Sequence, residues 1–186
     1  MQCHNLNDTL VSVKENKMKK GKGLVPDYYF QVFSDVSAEF LLTLGVKGIV
    51  LDIDNTLEPY ENAAPGEHVL TWFDELKAAG IKAAFVSNNN SARVELFNKN
   101  LGFPAYFKAG KPFKKNVLRA IADMGVLPDE AILMGDQVFT DVWAARNAGL
   151  RAILLPPIKD KRDLFTKTKR LLEKPVIKRY KKRNNK

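Results

Sequence analysis

The sequence holds one cysteine, Cys3, and two histidines, His4 and His68. A single cysteine excludes an intramolecular disulfide framework and a cysteine-rich zinc site, and the two histidines do not have the spacing of metal ligands. No stretch reaches the roughly 18 apolar residues that a membrane-spanning helix requires, and the N-terminus is too polar for a secretory signal. These absences predict a cytoplasmic protein.

The composition is ordinary for one globular domain, with 186 residues of which 45% are hydrophobic and 27% charged. The net charge of +9 is unevenly placed: residues 1–23 carry +3, residues 24–158 carry −4 and residues 159–186 carry +10. We predict a basic, flexible N-terminal segment over 1–23, a folded body over 24–158, and a basic C-terminal helix and tail over 159–186.

The excess positive charge of the C-terminal arm suits contact with an anionic membrane surface or with nucleic acid. Tails that only keep the protein soluble explain the same charge equally well. Within the arm, residues 161–174 have the apolar spacing of a helix that either lies on a membrane or packs on the edge of the domain.

Five short apolar runs alternate with helical patterns from residue 48 onward. The runs cover residues 48–51, 81–86, 105–107, 131–134 and 151–155. Apolar strands separated by helices are typical of a parallel sheet that is buried on both faces. The pattern predicts an α/β fold, a single Rossmann-like, doubly wound parallel sheet of about five strands with helices on both faces. One of those helices is predicted to begin at Pro112 and to bury Phe113, Val117, Leu118 and Ile121.

Polar side chains follow four of the predicted strands, at the carboxyl ends where open parallel sheets bind ligands. They are Asp52 and Asp54 after the first run, Ser87 and Asn88 after the second, Lys108 and Lys111 near the third, and Asp136 and Asp141 after the fourth. Because converging carboxylates raise one another's pKa, they require a cation. Oxygen donors without histidine or thiolate favour magnesium over zinc.

The same side chains are suited to phosphate chemistry. A hydroxyl at Ser87, an amide at Asn88 and an ammonium at Lys111 can hold phosphate oxygens. Since no activated serine or cysteine is present, a carboxylate is the plausible nucleophile, and it would form an aspartyl phosphate that water hydrolyses. Alternation along an extended chain sends Asp52 and Asp54 to the same side, so one can attack while the other transfers a proton.

These residues resemble the haloacid dehalogenase superfamily, whose four motifs occur here in order. The motifs are DIDNT at 52–56, VSNN at 86–89, the lysine of AGKP at 109–112 and GDQVFTD at 135–141. The resemblance implies an aspartate nucleophile, a second aspartate as general acid and base, phosphate-binding residues and a Mg²⁺ site. The implied nucleophile is Asp52, and the implied general acid and base is Asp54. The implied phosphate-binding residues are Thr56, Ser87, Asn88 and Lys111. The implied metal ligands are Asp52, Asp54, Asp136 and Asp141. Asp54 would reach the metal through its main-chain carbonyl, and Lys108 is the alternative to Lys111.

More narrowly, residues 24–180 resemble the YqeG subgroup of type IIIA phosphatases. That subgroup is similar to mitochondrial enzymes that dephosphorylate phosphatidylglycerophosphate, which implies a lipid phosphate as one substrate. The intervals 56–87 and 87–111 have no room for the cap domains that usually confer specificity in the superfamily. An uncapped site suits a phosphate on a large or membrane-borne molecule, or a small metabolite if a partner or a second copy closes the site.

Two other interpretations use the same residues. The first is a protein that binds polyanions such as RNA and makes little use of its catalytic residues. The second is a phospho-accepting receiver domain, but receivers carry the acidic pair and the phosphorylated aspartate on different strands. The pair Asp52 and Asp54 on one strand therefore favours a phosphatase.

Overall fold

A computed structural model describes residues 23–159 and 164–184, so most of the predicted N-terminal segment lies outside the described residues. The strands are β1 Tyr28–Tyr29, β2 Gly48–Leu51, β3 Lys82–Val86, β4 Ala105–Tyr106, β5 Ala131–Gly135 and β6 Arg151–Leu154. The α-helices are α1 Ala38–Thr43, α2 Glu67–Ala78, α3 Ser91–Asn98, α4 Lys115–Met124, α5 Trp143–Asn147 and α6 Leu164–Asn184. Two 3-10 turns, Phe33–Asp35 and Pro128–Glu130, and a π-helical turn, Val138–Val142, complete the described elements.

The strands form one open, parallel sheet in the order β1-β6-β5-β2-β3-β4. This confirms the predicted α/β fold. The sheet has six strands instead of about five because Tyr28–Tyr29 pairs with β6 at the edge. A strand of two residues is too short to show the alternation by which a strand is recognised from the sequence.

Side chains of the central strands alternate between two hydrophobic clusters, one on each face of the sheet. In β2, Ile49 and Leu51 pack with α1, α2 and α3, whereas Val50 packs with α4 and α5. In β5, Ile132 and Met134 face the first cluster and Leu133 faces the second. Since both faces are covered, the strands read as continuous apolar runs, which is why the sequence located them well.

Helix α4 begins later than predicted, and Phe113 is not inward. The helix runs from Lys115 to Met124, Phe113 is 75% exposed and Leu118 is 36% exposed. The Phe113 amide donates to the carbonyl of Gly110 at 2.9 Å, and this turn precedes the helix. The aromatic side chain therefore points away from the core, while Val117 and Ile121 are buried as predicted.

The C-terminal helix α6 packs on the domain edge. Val176 and Ile177 contact the second hydrophobic cluster, and the hydroxyl of Tyr180 accepts a hydrogen bond from the Tyr29 amide at 3.1 Å. The guanidinium of Arg183 donates to the carbonyl of Pro26 at 3.1 Å. Within the described residues, no helix combines the length and the apolar content needed to cross a membrane.

A hydrogen bond from Trp72 connects α2 to the segment before α1, and its loss should lower the stability of the protein. The indole nitrogen donates to the Val36 carbonyl at 2.9 Å in a fully buried setting. In Trp72→Phe the carbonyl keeps its burial and loses this donor, so the free energy of unfolding should fall by about 1–3 kcal/mol. Urea denaturation followed by circular dichroism measures the change. Glu75→Gln on the exposed face of α2 is the control and should stay within about 0.5 kcal/mol of the parent chain.

Candidate active site

Three buried carboxylates meet at the carboxyl edge of the sheet. Asp52 follows β2 directly, Asp136 follows β5, and Asp141 lies in the π-helical turn after β5. One oxygen from each lies within 4.8 Å of the other two. The two strands are parallel neighbours, with Leu51 opposite Met134, so their carboxyl ends and the residues after them come together.

The ammonium of Lys111 lies between two of these carboxylates. Its Nζ is 2.9 Å from Asp52 Oδ1 and 2.6 Å from Asp141 Oδ1, and the lysine side chain is buried. We call these three residues the ion triplet. The alternative lysine, Lys108, is exposed to solvent. The structure therefore brings Lys111, and not Lys108, to the carboxylates.

The side-chain amide of Asn88 makes two hydrogen bonds to the main chain of Lys111. The Lys111 amide donates to Asn88 Oδ1 at 2.8 Å, and Asn88 Nδ2 donates to the Lys111 carbonyl at 3.1 Å. This pairing joins the segment after β3 to the segment after β4. The position of the lysine in the site thus depends on the asparagine.

Burial and oppositely charged neighbours shift the pKa values of Asp52 and Lys111 in opposite directions. Burial raises the pKa of Asp52 to about 6, the Lys111 ammonium opposes that rise, and the carboxylates of Asp141 and Asp54 add to it. For Lys111, burial lowers the pKa, but the carboxylates of Asp141 and Asp52 outweigh burial and raise it above its ordinary value. The lysine is therefore held in its charged form.

Asp141 depends on a glycine and on a distant helix. A Cβ built on Gly135 would lie 2.5 Å from the Cβ of Asp141, so any larger residue there would displace the carboxylate. The Asp141 Oδ2 accepts from the Gln137 amide at 3.0 Å. The next amide, that of Val138, donates to the buried carboxylate of Glu173 at 2.8 Å, which connects the turn to α6.

Asp54 stands apart from the three carboxylates. Its Oδ1 accepts from Arg93 Nε at 2.9 Å, and its Oδ2 accepts from Asn89 Nδ2 at 2.8 Å. Arg93 also donates to the Ala63 carbonyl at 2.9 Å and lies over the ring of Phe97. Both oxygens of Asp54 are thus held by α3 and the segment before it.

Sequence reasoning missed Asn89 and Arg93, although one signal was available. Arg93 is the third residue of α3, after the capping residue Asn90. A cation is disfavoured in the first turn of a helix because the macrodipole is positive there. A paired anion compensates for this, and Asp54 is that anion.

Ser87 and Thr56 are both buried, but the structure places them in different surroundings. The Ser87 hydroxyl accepts from the Asn89 amide at 3.1 Å. The Thr56 hydroxyl has no hydrogen-bond partner among the described residues. Thr56 lines a cavity of about 410 Å³ together with Phe33, His68 and Ile158.

Glu58, also missed, organises the loop between β2 and α2. Its buried carboxylate accepts from the Gly66 amide at 2.8 Å and from Asn62 Nδ2 at 2.7 Å. Asn55 in the same loop has φ of +63°, a conformation that asparagine tolerates better than most residues. The loop that carries Asp54 is therefore built from local hydrogen bonds.

The donor set fits one divalent cation bound by oxygen. Three buried carboxylates converge at this point, and a cation would relieve the repulsion between them. Their mutual spacing, up to 4.8 Å, is close to the roughly 4.2 Å between opposite oxygen ligands of one magnesium ion. Asp52, Asp136 and Asp141 would hold the ion, and the predicted contribution of the Asp54 carbonyl stays a prediction.

Comparison with known proteins finds one family model and several relatives. Residues 61–149 match the family model of haloacid dehalogenase-like hydrolases. The chain is 34% identical over 164 residues to the probable phosphatase YqeG of Bacillus subtilis, covering 88% of this chain and 95% of that protein. It is also 34% identical over 94 residues to the pyrophosphatase PpaX of Bacillus velezensis, covering 46% of this chain and 43% of that protein.

Solved structures share the fold. The chain resembles an uncharacterized protein from Listeria monocytogenes with a TM-score of 0.51 and 17% identity, over 63% of this chain and 85% of that one. It resembles CbbY from Rhodobacter sphaeroides with a TM-score of 0.51 and 16% identity, over 64% of this chain and 90% of that one. At these identities the likeness establishes the architecture alone.

Lys111→Met tests the ion triplet through stability, because it keeps the length of the side chain and removes its charge. Without the ammonium, the pKa of Asp52 should rise further above its ordinary value of 3.8. A folded-state pKa above the unfolded value means that stability is present at low pH and lost as the pH rises through the folded-state value. We expect a loss of about 3–5 kcal/mol near pH 8 and a smaller loss near pH 5.

Urea denaturation at the two pH values, with a chelator present, measures the effect of Lys111→Met. The matched control is Lys108→Met, which changes an exposed lysine of the same loop and should alter stability by less than about 0.5 kcal/mol. Equal losses in the two variants, or a loss that does not change with pH, would contradict the ion triplet.

Proposed function

The chain belongs to the haloacid dehalogenase-like hydrolases and is a phosphatase, and from that premise we propose that it is a magnesium-dependent phosphomonoesterase working through an aspartyl phosphate. One observation carries the proposal. The Asp52 carboxylate lies beside a buried ammonium and two further carboxylates, at the open edge of a parallel sheet. This is the environment that an attacking carboxylate and a transferring phosphoryl group require.

In the first step, a carboxylate oxygen of Asp52 attacks the phosphorus atom and the bond to the leaving oxygen breaks. Asp54 donates a proton to that leaving oxygen, so the alcohol departs neutral. Asn89 and Arg93 position Asp54 by holding both of its oxygens. Lys111 and Ser87 are the proposed phosphate-binding groups, whereas the Asn88 amide is bonded to the Lys111 main chain and Thr56 lines a cavity that none of the three carboxylates lines.

In the second step, Asp54 takes a proton from water, and the water oxygen attacks the phosphorus atom. The bond between phosphorus and Asp52 breaks, which releases inorganic phosphate and restores the carboxylate. Lys111 remains protonated throughout, because the paired carboxylates hold its pKa above the ordinary value. Its fixed charge can therefore stabilise the negative charge on the phosphoryl oxygens in both steps.

Magnesium, held by Asp52, Asp136 and Asp141, would supply a positive charge that neutralises the phosphoryl oxygens. The support for this cofactor is the donor set, which contains carboxylate oxygens and neither histidine nor cysteine. Asp141 also accepts hydrogen bonds from Lys111 and from the Gln137 amide, so we propose that it positions Lys111 in addition to binding the ion.

The substrate is proposed to be a large or membrane-borne phosphomonoester, with phosphatidylglycerophosphate as a candidate. Between Thr56 and Lys111 the chain forms only α2, β3, α3, β4 and their loops, so no inserted domain covers the site. The predicted cytoplasmic protein would then work at the membrane periphery. We further propose that residues 24–158 form the catalytic unit and that α6 braces it through Glu173.

Two substitutions separate the two aspartate roles. With p-nitrophenyl phosphate and magnesium, Asp52→Asn should lower kcat by roughly three orders of magnitude or more, since it removes the nucleophile. Asp54→Asn should lower kcat roughly 100-fold or more, because water then lacks its base. The leaving nitrophenolate needs little help from an acid, so Asp54→Asn should accumulate phosphorylated protein and Asp52→Asn should not.

Acid quenching with radiolabelled phosphate on the substrate measures the phosphorylated protein. Asp74→Asn on the exposed face of α2 is the matched control and should behave as the parent chain does. Full activity in Asp52→Asn would rule out the assigned nucleophile. Covalent phosphate on Asp52→Asn would place the intermediate on another residue.

A substrate screen tests the proposed size of the substrate. Phosphatidylglycerophosphate in liposomes should give a higher kcat/KM than glycerol 3-phosphate, pyrophosphate or small sugar phosphates, because an uncapped site has few groups to enclose a small molecule. Phosphate release assays with and without magnesium measure each rate. A preference for a free small phosphate over the lipid would contradict the proposed substrate class.

A further inference from the structure

Exposed aromatic side chains occur in several segments that follow the carboxyl ends of strands. Within the residues that the structure describes, four large aromatic side chains are exposed: Tyr60 at 49%, Phe107 at 46%, Phe113 at 75% and Trp143 at 43%. Each lies in a segment that follows the carboxyl end of a strand, as do the catalytic carboxylates. Exposed aromatic groups gathered around a site mark a surface that meets a partner.

Two of these aromatic side chains belong to a short basic strip. Phe107, Lys108, Phe113, Lys114 and Lys115 are all exposed, and we call them the lip strip. The chain has no acidic residue from 107 to 122, although the body carries a net negative charge. Three exposed lysines and two exposed aromatic side chains therefore lie close together in the sequence, with no acidic residue among them.

The lip strip is joined directly to the site. Lys111, which lies in the middle of the same loop, places its ammonium between Asp52 and Asp141. The main chain of Lys111 is fixed by Asn88. Whatever binds the strip is consequently held beside the catalytic carboxylates.

We propose that the lip strip docks the protein on an anionic lipid bilayer and so brings the site to a phosphorylated headgroup. The inference rests on the proposed function, a phosphatase for a membrane-borne phosphomonoester, and it names the surface that makes the contact. The rings of Phe107 and Phe113 enter the headgroup region, where amphipathic and aromatic side chains bind. The three lysines are attracted by the negative surface potential.

The composition of this edge favours a bilayer over nucleic acid. Two aliphatic side chains at the same edge, Val32 and Ile158, are exposed at 47% and 48%. Aliphatic groups insert among lipids, whereas single-stranded nucleic acid binds by stacking on aromatic rings. A second copy of the chain is also disfavoured, because two facing lip strips would place like charges together.

Cosedimentation of the full-length protein with vesicles tests the docking surface without substrate or magnesium. The vesicles are phosphatidylcholine alone and phosphatidylcholine mixed with phosphatidylglycerol. The double variant Phe107→Ala/Phe113→Ala should lower partitioning into the anionic vesicles roughly tenfold or more. The triple variant Lys108→Gln/Lys114→Gln/Lys115→Gln should lower it roughly fivefold for each lysine near the surface.

Two control variants show which part of the surface binds the vesicles. Leu127→Ala removes an apolar side chain that is 61% exposed and precedes β5 at the opposite edge, and it should bind vesicles as the parent chain does. Lys174→Gln/Lys178→Gln/Lys182→Gln removes the same charge from the exposed side of α6. If the α6 triple variant loses binding and the lip variants retain it, docking occurs through α6 and the proposal is overturned.

The remaining outcomes separate this proposal from the proposed function. A parent chain that hydrolyses p-nitrophenyl phosphate and does not bind anionic vesicles overturns the docking surface alone. A parent chain that binds vesicles through the lip strip and hydrolyses no phosphomonoester supports the surface and overturns the proposed reaction. A third outcome is that the parent chain does not bind vesicles but binds RNA or self-associates, and that the lip variants lose this binding. That outcome overturns the bilayer as the partner.

Discussion

The rest of the site depends on a buried lysine held between two buried carboxylates. Lys111 contacts Asp52 and Asp141, and these three residues come from the segments after β4, β2 and β5. A buried charge without its partner is strongly destabilising, so each member constrains the others. Several features that are unremarkable in the sequence follow from this constraint: Asn88 fixes the lysine main chain, Gly135 leaves space for Asp141, and Glu173 holds the turn that carries it.

The second aspartate is held by different means, and this separation suits two chemical roles. Asp54 is paired with Arg93 and Asn89, whereas Asp52 is paired with Lys111. The proposed nucleophile, Asp52, thus lies beside fixed positive charge, and the proposed proton-transferring residue, Asp54, is oriented by α3. Among the residues that the structure describes, no domain is inserted between Thr56 and Lys111 to cover this edge, and the edge carries exposed aromatic and basic side chains.

The strands could be predicted where their burial produces a recognisable apolar pattern in the sequence. Strands covered on both faces are continuous apolar runs, and all five predicted runs are strands. Tyr28–Tyr29 was missed because an edge strand of two residues has no period. Phe113 was misplaced because helical spacing alone does not show where a helix begins, and here a turn closed by Gly110 comes first. The choice between a membrane and a domain edge for residues 161–174 stays a prediction, because α6 contacts Tyr29 and Pro26 through Tyr180 and Arg183, which lie beyond that segment.

By itself, the sequence determined the α/β fold and placed carboxylates, a hydroxyl and a lysine after successive strands, in the order of the motifs of this phosphatase family. Chain order suffices there because parallel strands deliver their carboxyl ends to one edge. Only the tertiary structure decided which polar groups act together. Lys111 reaches the carboxylates and Lys108 does not, Asn88 binds main chain, and Arg93 finds Asp54. Such choices depend on side-chain direction and burial across segments far apart in the chain, which no local pattern encodes.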